Sequence, residues 1–172
     1  MKHLTLVAIF LLFPVSVNAE TLWEKYLWLP TPENASKVEK IEYSEGSIPE
    51  NYGYWYPDLL VMKNQILGGD KESFRLAFRI KQSTNGAALI EHINDILGSV
   101  IRSNPELFLQ EIKYINPSTY SLKSVLKMTG DEYVDRMEAV KYEWKMRAEA
   151  LSTVTAPDLE ATKQKCLELL EN

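Results

Sequence analysis

Along most of this chain, apolar residues recur at every third or fourth position, the spacing that gathers them on one face of an α-helix. Leu59, Met62 and Ile66 form one such stripe, opened by Pro57-Asp58. Phe74, Leu76, Ala77, Phe78 and Ile80 form a wider one over 71–82, suited to a helix packed on most sides. Leu89, Ile93, Ile96, Leu97 and Val100 predict a helix over 87–102. Phe108 and Ile112 lie inward on a helix from Pro105 to Ile115, and Leu122, Val125 and Leu126 on the one after it. Tyr133, Met137, Val140, Trp144, Ala148 and Leu151 mark the longest predicted helix, 131–151, with charged residues on most of its other face. The last helix, opened by Pro157-Asp158, presents Leu159, Cys166, Leu169 and Leu170. No stretch sustains a period of two, so no strand is predicted.

Clear punctuation separates these stripes. Gly68-Gly69 stops one helix, and Asp70 is placed to cap the next. Asn85-Gly86 breaks the chain again. Asn104-Pro105 and Asn116-Pro117 both read as a capping asparagine followed by proline, which lacks the N–H that would be orphaned there. Gly130-Asp131 is another stop-and-cap junction. Nearer the N-terminus, 21–29 reads as a short aromatic helix, 31–43 as a thin-faced helix, and 44–56 as a loop. The prediction is an all-α domain of about eight helices. Its short connections make neighbours antiparallel, as helical hairpins in a short solenoid or an irregular bundle.

The first nineteen residues differ from the rest. Lys2 and His3 precede an apolar run, and Val17-Asn18-Ala19 places small residues where a signal peptidase cuts. The run is shorter than the roughly 20 residues of a membrane span. This reading makes 1–19 a signal peptide and 20–172 one helical domain of 153 residues. Within it, 20–56 is an aromatic-rich cap or lid, 57–130 holds repeat-like helix pairs, and 131–172 holds the long helix and the C-terminal one. The expected address is outside the cytoplasm, with a bacterial periplasm favoured over the extracellular space. Asn34-Ala35-Ser36 matches the glycosylation triplet and keeps a eukaryotic secreted protein open.

Two helix pairs, Lys71–Arg102 and Pro105–Thr129, start about 35 residues apart, a helical-repeat spacing. The stretch Leu97-Gly98-Ser99-Val100-Ile101-Arg102-Ser103-Asn104-Pro105-Glu106-Leu107-Phe108-Leu109 resembles the inter-helix phrase of HEAT-like α-solenoids. It also resembles segments of exported bacterial helical proteins. The resemblance implies a binding scaffold and carries over no catalytic residue.

Composition narrows the chemistry. The chain carries a formal charge of −5, which becomes −6 once Lys2 is removed. That balance opposes a nucleic-acid partner, since phosphate binding needs clustered Lys and Arg. Cys166 is the sole cysteine, so no internal disulfide forms, and it reads as a buried thiol. Beyond residue 19 the sole histidine is His92, so a two-histidine zinc site is ruled out. His92, Asp95 and Ser99 share a helix stripe, yet no nucleophile-elbow motif accompanies them. Acidic pairs such as Glu138 and Glu143, or Glu45 and Glu50, read as surface charge. No catalytic, metal or cofactor residue is assigned, and no cofactor is expected.

Two features point to contact with another protein. Eight of the sixteen aromatics beyond residue 19 fall within 23–56, and Asn51 to Pro57 is a loop-like run holding Tyr52, Tyr54, Trp55 and Tyr56. Flat rings with a polar tip suit interfaces. Lys71, Arg75 and Arg79 form a basic stripe on an otherwise apolar helix. The candidate contact residues are therefore Tyr52, Tyr54, Trp55, Tyr56, Arg75 and Arg79. The expected function is a non-enzymatic protein-interaction module. The alternatives are an enzyme acting on envelope polysaccharide through a carboxylate pair, or a carrier of a small apolar ligand. No stable membrane insertion is expected after cleavage.

Overall fold

The computed structural model describes residues 31, 33–34, 55–83, 87–129 and 136–172. Among them the chain is all-helical, with seven α-helices and one 3-10 turn. These are α1 (Trp55–Leu67), α2 (Lys71–Ser83), α3 (Ala87–Ser103), α4 (Pro105–Ile115) and α5 (Thr119–Lys127). After them come α6 (Met137–Ser152), the 3-10 turn Pro157–Leu159, and α7 (Glu160–Glu171).

Helix ends follow local chemistry. At the α1–α2 junction the Gly69 N–H donates to Ile66 O and the Asp70 N–H to Gln65 O, closing α1. Gly69 holds φ +94°, a conformation that glycine adopts without Cβ strain. Asp70 then caps α2, its carboxylate accepting from the N–H groups of Glu72 and Ser73. Asn104 caps α4, with Oδ1 accepting from the Leu107 N–H at 3.1 Å.

Three boundaries depart from the sequence reading. Trp55 and Tyr56, expected in a loop, form the first turn of α1, which begins two residues before Pro57. Proline is tolerated there because the first-turn N–H groups have no helical acceptor. Asn116 does not cap the helix that follows it. It ends α4 in a left-handed conformation (φ 48°), its N–H donating to Ile112 O. Asparagine is one of the few side-chain-bearing residues that accept that conformation. Ser118 caps α5 instead, its Oγ accepting from the Ser121 N–H at 3.2 Å. Finally, Pro157 opens a single 3-10 turn, and α7 proper begins at Glu160.

The central element is α3. It packs against α1, α2, α4, α5 and α6, and its residues Ile93, Leu97, Val100 and Ile101 are wholly buried. Phe74 joins α2 to α4, stacked on Phe78 at 5.9 Å and edge-on to Phe108 at 6.0 Å. Each such ring stabilises the fold by about 1.5–3 kcal/mol through burial alone. α7 closes the core with Cys166 and Leu170 against α5, α6 and α4.

α6 packs differently from its predicted stripe. Met137 stands 62 % exposed, while the buried residues are Glu143, Arg147 and Leu151. Trp144 and Ala148 do pack against the core, as their spacing predicts. The helix therefore turns a partly charged face inward. At 16 residues it is slightly shorter than α3, at 17, among the described residues. No helix among the described residues is long and apolar enough to cross a membrane.

Candidate functional site

Arg75 sits on α2, facing α4. Its Nε donates to Glu111 Oε2 at 2.6 Å and its Nη2 to Glu111 Oε1 at 3.3 Å. Its Nη1 donates to Glu72 Oε1 at 2.8 Å. Glu111 is almost wholly buried, so this fork is a tertiary lock between two helices. The hydrogen bond to Glu111 raises the guanidinium pKa further, against the opposing effect of burial. The same guanidinium lies 3.8 Å from the ring centre of Tyr114, which is 67 % exposed. Arg75 thus mounts an exposed ring on a rigid base. Tyr120, in the first turn of α5, is also exposed, so two tyrosines flank the α4–α5 corner.

A second polar cluster lies where α2 and α3 meet α5. Lys81 is buried, and its Nζ donates to Ser121 O at 2.7 Å, Ser121 Oγ at 3.0 Å and Ser124 Oγ at 2.7 Å. All three acceptors are neutral. Burial pushes the amine pKa down to about 8 from its ordinary 10.5. Ser124 Oγ also lies 2.8 Å from Ser121 O and 3.5 Å from Asn94 Oδ1. Asn94 is wholly buried, and its Nδ2 finds no hydrogen-bond acceptor among the described residues. The cluster is therefore two half-buried hydroxyls, one amine and one unmatched amide donor. Lys81 falls on the polar flank of a strongly amphipathic helix, and its serine partners stand forty and more residues away. The sequence signal that could have found it is Ser118, Ser121 and Ser124 at every third position, one helical stripe.

A third set of charges is structural. Arg147 Nη1 donates to the carbonyl oxygens of Val125, Leu126 and Met128 at 3.1, 2.9 and 2.8 Å. Trp144 Nε1 donates to Lys127 O at 2.9 Å. Together they cap the C-terminal carbonyls of α5, which have no helical donor of their own. Glu143 balances the charge, accepting from Arg147 Nε at 3.1 Å and from Arg102 Nη1 at 2.9 Å.

The structure places the predicted contact residues unevenly. Tyr52 and Tyr54 lie outside the described residues. Trp55 and Tyr56 begin α1. Lys71 Nζ reaches Gln110 Oε1 at 3.1 Å, and Arg79 is half-buried and partnered, so with Arg75 the basic stripe is engaged within the chain. Asp95, weighed beside His92, pairs with Lys63 at 3.5 Å, while Ser99 Oγ donates to Ile96 O. Of the acidic pairs, Glu138 is exposed beside Lys141, and Glu143 serves the two arginines. Cys166 is buried, and desolvation pushes its thiol up to about 12. Among the described residues no group of three or more His, Cys, Asp or Glu could hold a metal ion.

The fold and these clusters define an all-α protein whose charged side chains brace its helices and whose α4–α5 corner carries exposed rings. Comparison with family models, with curated proteins and with solved structures finds no match for the chain.

Proposed function

We propose that this chain is an exported helical module that docks another protein through rigidly mounted aromatic side chains. The observation that carries the reading is the Arg75–Tyr114 stack at 3.8 Å, with the guanidinium locked by Glu111. Tyrosine and arginine dominate the energetics of protein interfaces, and a ring held in place loses little entropy on binding. Tyr120, 87 % exposed, extends the same corner. The charge of Arg75 is met by Glu111 and Glu72, so its role in this reading is to mount Tyr114 rather than to attract an acidic partner. The signal-like 1–19, the aromatic run 51–56 and the solenoid-like phrase 97–109 support export and a scaffold role. The test is affinity for a partner recovered from the exporting cell. Tyr114→Ala with Tyr120→Ala should weaken binding at least about tenfold while helical content is unchanged, the scale of an interface anchor. Unchanged affinity for every recovered partner would remove the α4–α5 corner from the docking surface.

A further inference from the structure

Lys81, Ser124 and Asn94 come from α2, α5 and α3, and they have no part in the docking corner. Structural roles explain the other buried charges. Arg147 caps a helix, Glu143 balances it, and Glu111 binds Arg75. Lys81 differs, because its hydrogen bonds end on neutral oxygens and two of them are hydroxyls. From this geometry we infer that Lys81 and Ser124 form a serine–lysine acyl-transfer centre, with Asn94 Nδ2 as the donor for the oxyanion, acting on esters of small carboxylic acids.

Three features carry the inference. The Ser124 Oγ to Lys81 Nζ distance of 2.7 Å is direct proton-transfer reach. The cluster can be satisfied in both protonation states. As an ammonium, Lys81 donates to all three oxygens, and the Ser124 hydroxyl turns to Ser121 O. As a neutral amine, Lys81 keeps Ser121 O and Ser121 Oγ as acceptors and receives the Ser124 proton on its lone pair. The third feature is the unmatched donor. A wholly buried amide N–H without an acceptor is unfavourable, because it has lost its water partner and gained none. Asn94 Oδ1 stands 3.5 Å from Ser124 Oγ, so a flip of the amide would bring Nδ2 to an oxyanion formed beside Ser124, an interaction made in the transition state and absent from the resting protein.

The step balances without an added co-reactant. The Ser124 Oγ lone pair bonds to the ester carbonyl carbon as the hydroxyl proton passes to Lys81 Nζ. The oxyanion accepts from Asn94 Nδ2. Its collapse breaks the carbon–oxygen bond to the alcohol, which leaves with the proton from Lys81. Water then attacks the acyl-Ser124 ester, gives its proton to Lys81, and frees the acid and Ser124. Ser121, bonded to Lys81 through its hydroxyl and its carbonyl, is a positioning residue.

The test is incubation of the full chain with p-nitrophenyl acetate and, separately, with a fluorophosphonate. The expected result is one adduct on Ser124 in peptide mass analysis. Its rate should rise with pH through about 8, where Lys81 loses its proton. Ser124→Ala and Lys81→Arg should abolish it. Asn94→Ala should slow acylation by about 100-fold or more, the loss typical of an oxyanion donor. Ser121→Ala should keep the adduct and shift its pH profile. Absence of an adduct on the unaltered chain overturns the proposal whether or not the variants fold, and so does an adduct confined to other residues. A Ser124 adduct whose rate is unchanged by Lys81→Arg overturns it equally.

Discussion

Gly98 stands where the guanidinium of Arg147 needs room. A Cβ at Gly98 would meet Arg147 Nη1 at 2.8 Å and Cζ at 3.1 Å. The guanidinium cannot retreat cheaply, because the same Nη1 serves three carbonyls at the C-terminal end of α5 and its neighbour Nε holds Glu143. In an ordinary helix interior Gly→Ala stabilises by about 1 kcal/mol. Here Gly98→Ala should reverse that sign and destabilise by about 1–3 kcal/mol, as overpacking does. Urea unfolding followed by circular dichroism reads the difference. A stabilised variant would mean that α3 and α6 do not touch as described.

Arg147 itself carries more. Arg147→Ala strands the α5 carbonyls and leaves Glu143 to Arg102 alone. The loss of stability should be about 3–5 kcal/mol, the cost of breaking a buried pair. Arg147→Met combined with Glu143→Leu should cost clearly less than Arg147→Ala, because no buried charge is left unmatched. Denaturant midpoints of both variants test the ordering.

Lys81 makes stability depend on pH. Burial lowers its amine pKa from the ordinary 10.5 of the unfolded chain to about 8 in the folded one. Between those values the unfolded chain holds more protons, so stability should rise with pH from about 8 to about 10.5. Each tenfold difference in proton affinity between the two states corresponds to about 1.4 kcal/mol, which sets a rise on the order of 1–3 kcal/mol for a side chain near the surface of the core. Cys166 acts in the opposite sense from about pH 9 upward, because its thiol is held protonated to about 12. A Cys166→Ala background isolates the lysine. In it, thermal midpoints should climb across this window, and Lys81→Met should flatten the climb.

Cys166 should resist iodoacetamide at pH 8 in the folded chain. The thiolate is the nucleophile, and burial keeps it scarce. Alkylation should follow the urea unfolding curve. Rapid labelling without denaturant would place the thiol at the surface.

The sequence discloses most where the chemistry is local. Gly69 with Asp70, and Asn104 with Pro105, act on atoms within four residues, so their roles are legible from the chain alone. Asn116 shows the limit of the same reasoning. Asparagine serves both as an N-cap and as a left-handed C-cap, and Ser118, two residues on, takes the capping role for α5. Periodicity placed Trp144, Ala148 and Leu151 on the inward face of α6 but not the charged part of that face. Glu143 and Arg147 look like solvated charge, and their burial depends on α5 carbonyls some twenty residues away. Arg75 was legible as a candidate, but Glu111 lies 36 residues from it, so the lock that mounts Tyr114 was not. The Lys81 cluster, too, joins lysine to serines forty and more positions away, so the serine spacing alone hinted at it and no local pattern pointed to Lys81.

The central claim is that the α4–α5 corner meets a protein partner. It is tested most directly by a photo-crosslinking amino acid placed at Tyr114, at Tyr120 and, as a control, at exposed Glu149 on α6. In intact exporting cells, positions 114 and 120 should give the same crosslinked protein, position 149 should not, and Arg75→Ala should reduce the yield at 114. Equal yields at all three positions, or no crosslink at 114 and 120, would contradict the claim.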